Sequence, residues 1–209
     1  MRLILLFLAT TLLIENQSFA QVDFPKGTYM SIEEIINKQP SQHYNLIIEK
    51  RTTGDIKMNG GNDFKLTSPD KSVSKKTVKK EVWAYSTGDS LYLNCFQYKA
   101  QPWYSNVISD GKYLVFKGGL SQQIDERKKQ TKTSNYSGAI GGAFQGAKLA
   151  TLRFLYAIDK AENKIITVTP ENLELLLSNN SKLLTQYNNE IDKVNEQVLI
   201  KYLQLLNNN

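Results

Sequence analysis

The sequence predicts an α+β domain: an antiparallel β-meander forming a twisted sheet, with a short N-terminal helix, a glycine-rich segment and C-terminal helices packing on the sheet. Two observations carry this. Short segments of alternating apolar and polar residues recur along the middle of the chain, joined by tight Gly/Asn/Asp turns, which favours antiparallel neighbours over crossover connections. Helical spacing of three and four residues is confined to the ends.

Ser31-Ile32-Glu33-Glu34 reads as a capping box. The Ser31 hydroxyl accepts from an orphan backbone N–H, and Glu34 reaches back to the Ser31 amide. Ile32, Ile35 and Ile36 form the apolar stripe, and Pro40 stops the helix. Tyr44 to Glu49 alternates as a strand that ends at Thr53-Gly54-Asp55, and Asn59-Gly60-Gly61-Asn62-Asp63 is a further turn. Glu81 to Tyr98 is expected as a hairpin, with Val82 to Tyr85 and Leu91 to Tyr98 flanking Ser86 to Ser90. Trp103 to Ile108 and Lys112 to Lys117 follow as strands around Ser109-Asp110-Gly111. Leu152 to Ile158 and Lys164 to Thr169 then pair through Lys160 to Asn163.

Thr169-Pro170-Glu171 is a helix start, with a hydroxyl cap, proline in the first turn and an early acid. Leu173, Leu176 and Leu177 line this helix. From Ser181 to Leu206, the positions Leu184, Tyr187, Ile191, Val194, Val198, Tyr202 and Leu205 predict one further helix. It would be roughly 38 Å long, more than a small sheet needs for cover. Packing on the sheet and a self-association seam are the two readings of that stripe.

The first twenty residues look like a signal peptide. Arg2 is the positive flank, Leu3 to Ile14 an apolar core of about a dozen residues, and Ser18-Phe19-Ala20 a small-x-small cleavage site after Ala20. The expected organisation is a leader over 1–20 and one domain over 21–209. No Cys follows the apolar core, so no lipid anchor is expected, and the mature protein would be periplasmic or extracellular. The single cysteine, Cys95, allows no intramolecular disulfide. Its place in Leu91-Tyr92-Leu93-Asn94-Cys95 predicts a buried strand residue.

Gly138, Gly142, Gly146 and Ala150 recur every four residues. A packed helix with a side-chain-free ridge, a glycine loop and shallow membrane insertion are the three readings. The net charge of +6 is local in origin, since Lys65 to Lys80 carries six lysines against Asp70 alone. Solvated loops and edge-strand lysines account for it structurally. Contact of Lys71, Lys75, Lys76, Lys79 and Lys80 with anionic headgroups or acidic glycans is the functional alternative. Aromatics do not interleave with these lysines, so nucleic acid is not an expected partner.

Catalytic patterns are missing. His43 is the only histidine, so a two-His metal site within one chain is excluded, and no G-x-S-x-G elbow exists. No catalytic residue, metal or cofactor is expected. Trp83, Tyr85, Tyr92, Phe96, Tyr98, Trp103, Tyr104, Tyr113 and Phe116 crowd the meander, and cover by the terminal helices is expected for them.

Five groups of residues, in this order, carry a resemblance: Gly27 to Glu34 with Pro40-Ser41, Val82 to Tyr85 with Leu91 to Asn94, Gly111-Lys112-Tyr113, the glycine-rich run, and Tyr202 to Asn207. The chain resembles a family of uncharacterised exported proteins of Bacteroidetes-type bacteria, a domain of unknown function. The resemblance implies an exported single domain and transfers no activity. The leading expectation is an exported, non-catalytic binding or self-association module of the cell envelope, its partner an envelope protein or itself. Its contacts would be made by the glycine ridge (Gly138, Gly142, Gly146, Ala150) and the C-terminal stripe (Tyr187, Ile191, Val194, Val198, Tyr202). Peripheral membrane or anionic-glycan binding is one alternative, and a small-ligand binder or enzyme with an unrecognised site is the other.

Overall fold

A computed structural model describes residues 23–120 and 149–208. Its elements are β1 (Gly27–Tyr29), α1 (Ile32–Ile36), β2 (Ile47–Lys50), α2 (Thr53–Asn59), β3 (Phe64–Thr67), α3 (Lys75–Lys80), β4 (Ala84–Ser86) and β5 (Leu91–Asn94). A 3-10 turn (Cys95–Tyr98) leads to β6 (Tyr104–Ser109), β7 (Tyr113–Gly118), β8 (Phe154–Asp159) and β9 (Lys164–Thr167). Three helices close the chain: α4 (Pro170–Leu177), α5 (Ser181–Asn188) and α6 (Glu196–Asn207).

The nine strands form one open antiparallel sheet, so the fold is α+β as expected. Strands β4 to β9 are a true meander, each pairing with the next. β1 adds to the outer edge of β4, with Thr28 opposite Tyr85. β2 and β3 form a separate pair that joins the sheet where Phe64 meets Tyr104.

Both faces of the meander's second half are buried, because alternate residues feed two cores. Leu114, Phe116, Tyr156 and Ile158 pack with Tyr29, Ile32, Ile35, Leu91, Leu93 and Cys95. Tyr113, Val115, Leu155 and Ala157 pack under α4, α5 and α6 against Leu173, Leu177, Tyr187 and Leu203. A third core beneath α3 joins Leu66, Val73, Val78, Val82, Tyr85 and Tyr104. The terminal helices therefore cover Tyr113. Phe116, Tyr98 and Trp83 belong to the α1 side, and Tyr85, Tyr92 and Tyr104 to the α3 side.

Several local expectations are corrected. Thr53-Gly54-Asp55 opens α2, because Thr52 caps it by accepting from the Asp55 N–H at 3.1 Å. The Ser31 hydroxyl accepts from the Glu34 N–H at 3.3 Å, but the Glu34 carboxylate accepts from Met30 N (2.7 Å) and Ser41 N (3.2 Å). It thus staples the chain on both sides of α1. β5 ends at Asn94, whose side chain accepts from the Phe96 N–H and turns the chain into the 3-10 turn. Cys95 is fully buried as expected, though outside a strand, and burial pushes its thiol up to about 12.

The single helix over 181–206 is two. Asn189 ends α5, and Asn195 caps α6 by accepting from the Gln197 N–H at 2.9 Å. Chain reversal brings Tyr187 and Tyr202 edge to face at 5.1 Å. The Tyr187 hydroxyl donates to the Lys193 carbonyl, and the Tyr202 hydroxyl to Glu190. Asn207 closes the fold: its amide donates to the Tyr113 carbonyl and its carbonyl accepts from the Tyr113 N–H, both at 2.8 Å. A Cβ at Gly111 would fall 2.5 Å from the Cβ of Asn207, so this docking requires glycine there.

A buried polar junction holds the β2–β3 pair against the meander. The Asn62 amide donates to the carbonyls of Ala100, Gln101 and Pro102, and its oxygen accepts from Gly119 N at 2.6 Å. Arg51, nearly buried, donates to Asp55 and to the Gly60 and Asn62 carbonyls, and lies over the Trp103 ring. Arg153 binds Asp63 through Nε and Nη2, at 2.9 and 2.7 Å. Here Gln101 (φ 68°) and Trp103 (φ 78°) hold left-handed backbone, a strain sustained by the surrounding bonds.

Candidate anion-binding surface

α3 is built against its own sequence. Four of its six residues are lysine, Lys75, Lys76, Lys79 and Lys80, and no acid lies in the first turn. Lys75/Lys79 and Lys76/Lys80 are like-charged i,i+4 pairs, each costing about 0.2–0.5 kcal/mol in an isolated helix. Lys75 and Lys76 also sit at the positive end of the helix dipole. Such a peptide would not hold a helix alone.

Tertiary contacts hold it instead. Ser74 caps the helix by accepting from the Thr77 N–H at 3.0 Å. Val78 is its one buried residue and inserts into the core with Val73, Leu66 and Tyr104. The far end is anchored through its carbonyls. The Tyr104 hydroxyl donates to Val78 O at 2.5 Å, the Asn94 amide to Lys79 O at 3.1 Å, and the Gln97 amide to Lys80 O at 2.7 Å. Asn94 also donates to Val82 O at 2.7 Å and accepts from Phe96 N at 3.2 Å. One buried side chain thus positions both the lysine helix and the 3-10 turn beside it.

The four lysines span an arc of about 140° at 100° per residue, on the side away from Val78. All four are exposed, as is Lys71 in the preceding loop. Among the described residues none of the five is in an ion pair. Of the neighbouring acids, Asp70 is engaged by Ser68, Ser72 and Asn45. These bonds hold its carboxyl well below the usual carboxylate range. Glu81 follows the helix and is exposed. On the neighbouring turn, Phe96 is 41% exposed and Lys99, with φ 55°, is exposed too.

The remaining sequence candidates are scattered. Gly138, Gly142 and Gly146 lie outside the described residues. Ala150 is half-buried in a helical turn at 149–151, and its carbonyl accepts from Arg153. Tyr187 and Tyr202 are core residues, Val198 is half-buried against them, and Ile191 and Val194 are exposed in the α5–α6 turn. They do not form one face. His43 is exposed. Sequence reasoning named the five lysines but missed Phe96, Lys99 and the positioning role of Asn94, because a strand through Tyr98 hid the turn that gathers them.

Residues 27–209 match the model of the Family of unknown function (DUF6563). The chain belongs to DUF6563. No curated protein and no solved structure is similar to it. Among the described residues of this DUF6563 chain, no helix is long and apolar enough to cross a membrane.

Proposed function

We propose that this protein is an exported, non-catalytic binding module of the cell envelope, and that it engages a polyanionic envelope component through α3 and Lys71. The observation that carries this reading is a helix of four exposed lysines, held in place by buried contacts against its own charge repulsion. Nothing in the packing of Val78 calls for lysine at the outward positions, so the charge serves something outside the molecule. The leader over 1–20 supplies the address. Retention of the mature protein on an immobilised sulfated polysaccharide, released by salt, tests the reading. Retention lost in a variant with Lys75, Lys76, Lys79 and Lys80 changed to Gln supports it, and passage at low salt counts against it. Export is tested by the N-terminal sequence of the protein recovered outside the cytoplasm, expected to begin at Gln21.

Self-association is a second reading, favoured by the exposed apolar residues Leu175, Ile191 and Val194 on the C-terminal helical layer. Light scattering of the mature protein decides it: a dimer that dissociates when Ile191 and Val194 become Ser supports it, and a monomer rejects it.

A further inference from the structure

We infer that the polyanion engaged by α3 is the headgroup surface of a lipid bilayer, entered at its edge by Phe96; this rests on the reading just given. Charge alone fits any polyanion, but three features narrow the choice. The patch is entirely lysine, with no arginine among Lys71, Lys75, Lys76, Lys79, Lys80 and Lys99. Lysine is a compact charge that responds to a diffuse field, whereas fixed sulfate or phosphate groups are usually gripped by the planar fork of arginine. Lysine stems also lie along an apolar boundary while the ammonium stays in water.

The second feature is Phe96. It stands 41% exposed in the 3-10 turn, next to Gln97, whose amide is bonded to the last residue of α3, and three residues before the exposed Lys99. The headgroup–acyl boundary takes up an exposed apolar ring, whereas fixed charges alone do not call for one. The third is rigidity. Asn94 fixes the Phe96 amide and the Lys79 carbonyl through one buried side chain, so the backbone that carries the ring and the backbone that carries the charges are held beside each other before binding.

The experiment uses the mature protein with three probes: phosphatidylcholine vesicles, the same vesicles containing phosphatidylglycerol, and heparin. The expected result is binding to the anionic vesicles alone among the two lipids, weakening steeply with salt. At roughly fivefold per lysine, changing Lys75, Lys76, Lys79 and Lys80 to Gln should weaken it by roughly several hundredfold. Phe96→Ser should weaken vesicle binding about fivefold and leave heparin binding unchanged. Phe96→Trp should add a blue-shifted emission on vesicles and none on heparin. Circular dichroism and thermal midpoints of the variants, all at exposed positions, check that they are folded. Heparin binding that depends on the lysines, without vesicle binding or with indifference to Phe96, overturns the bilayer inference and leaves the polyanion reading standing. No binding to either anionic probe at low salt overturns both.

Discussion

Replacing Asn94 with Ala tests how α3 is held. The side chain is fully buried and makes three polar contacts: it donates to Lys79 O and Val82 O and accepts from Phe96 N. Truncation strands the buried Val82 carbonyl, at about 1–3 kcal/mol. It removes the cap of the 3-10 turn, at about 0.5–2 kcal/mol, and leaves the Lys79 carbonyl to water at smaller cost. The expected loss is about 3 kcal/mol, lowering the thermal midpoint of a domain this size by roughly 6–12 °C. Urea unfolding followed by tryptophan emission, from Trp83 and Trp103 together, is the readout, and the Trp83 carbonyl accepts from Asn94 N at 2.8 Å. Gln97→Ala, which breaks the exposed bond to Lys80 O, is the control and should cost within about 0.5 kcal/mol.

Asn94→Asp sharpens the test. It keeps the acceptor for Phe96 N but turns a carboxylate toward two carbonyls, so the folded state favours its protonated form. The folded pKa lies above the unfolded one, and the deficit relative to wild type grows as pH rises through the folded value and shrinks toward pH 4. An Ala variant within 1 kcal/mol of wild type, or an Asp variant with a pH-independent deficit, refutes the reasoning.

Alkali should destabilise the protein through groups buried in their neutral form. Cys95 is pushed up to about 12 by burial, as are Tyr29 and Tyr202, so the unfolded chain gives up protons first and stability falls as pH rises above about 9. Between pH 9 and 10, wild type should lose stability up to about 1.4 kcal/mol per pH unit faster than Cys95→Ala; parallel slopes by urea titration would contradict this. Gly61 has φ 87°, and a Cβ there would meet the Trp103 ring at 2.4 Å. Gly61→Ala should therefore cost at least about 2 kcal/mol by chemical denaturation. The double variant Ile191→Ser, Val194→Ser should unfold within about 0.5 kcal/mol of wild type, whereas Leu203→Ala, fully buried, should lose about 2–5 kcal/mol.

The hairpins β4–β5, β6–β7 and β8–β9 were legible because their turns are short and their strands alternate, whereas the pairing of β7 with β8, which lie 35 residues apart in the chain (119–153), had no local signal. β1 had none either, since three residues carry no period and Gly27–Tyr29 is a strand only because β4 lies beside it. α3 was hidden by its charge: with Val78 its one buried position there is no apolar stripe, and the remaining sign was the Ser74 cap. The division between α5 and α6 was visible in Asn188-Asn189 and Asn195, yet the spacing of Tyr187, Ile191, Val194, Val198 and Tyr202 concealed it. Two of those five, Ile191 and Val194, point to solvent, so the stripe was a coincidence of period rather than a face. Of the candidate surface, the lysines were read from composition alone. Their union with Phe96 depends on hydrogen bonds from Asn94 and Gln97 that no local pattern announces.

Titration of the mature protein with phosphatidylglycerol-containing vesicles at low and raised salt, wild type beside the variant carrying Gln at 75, 76, 79 and 80, tests the central claim most directly. Saturable binding by wild type that salt suppresses, and a loss of roughly several hundredfold in the variant, is the predicted result. Equal binding by the two proteins would contradict the claim that α3 is the contact surface, and none by either at low salt would contradict the claim that this surface meets a bilayer.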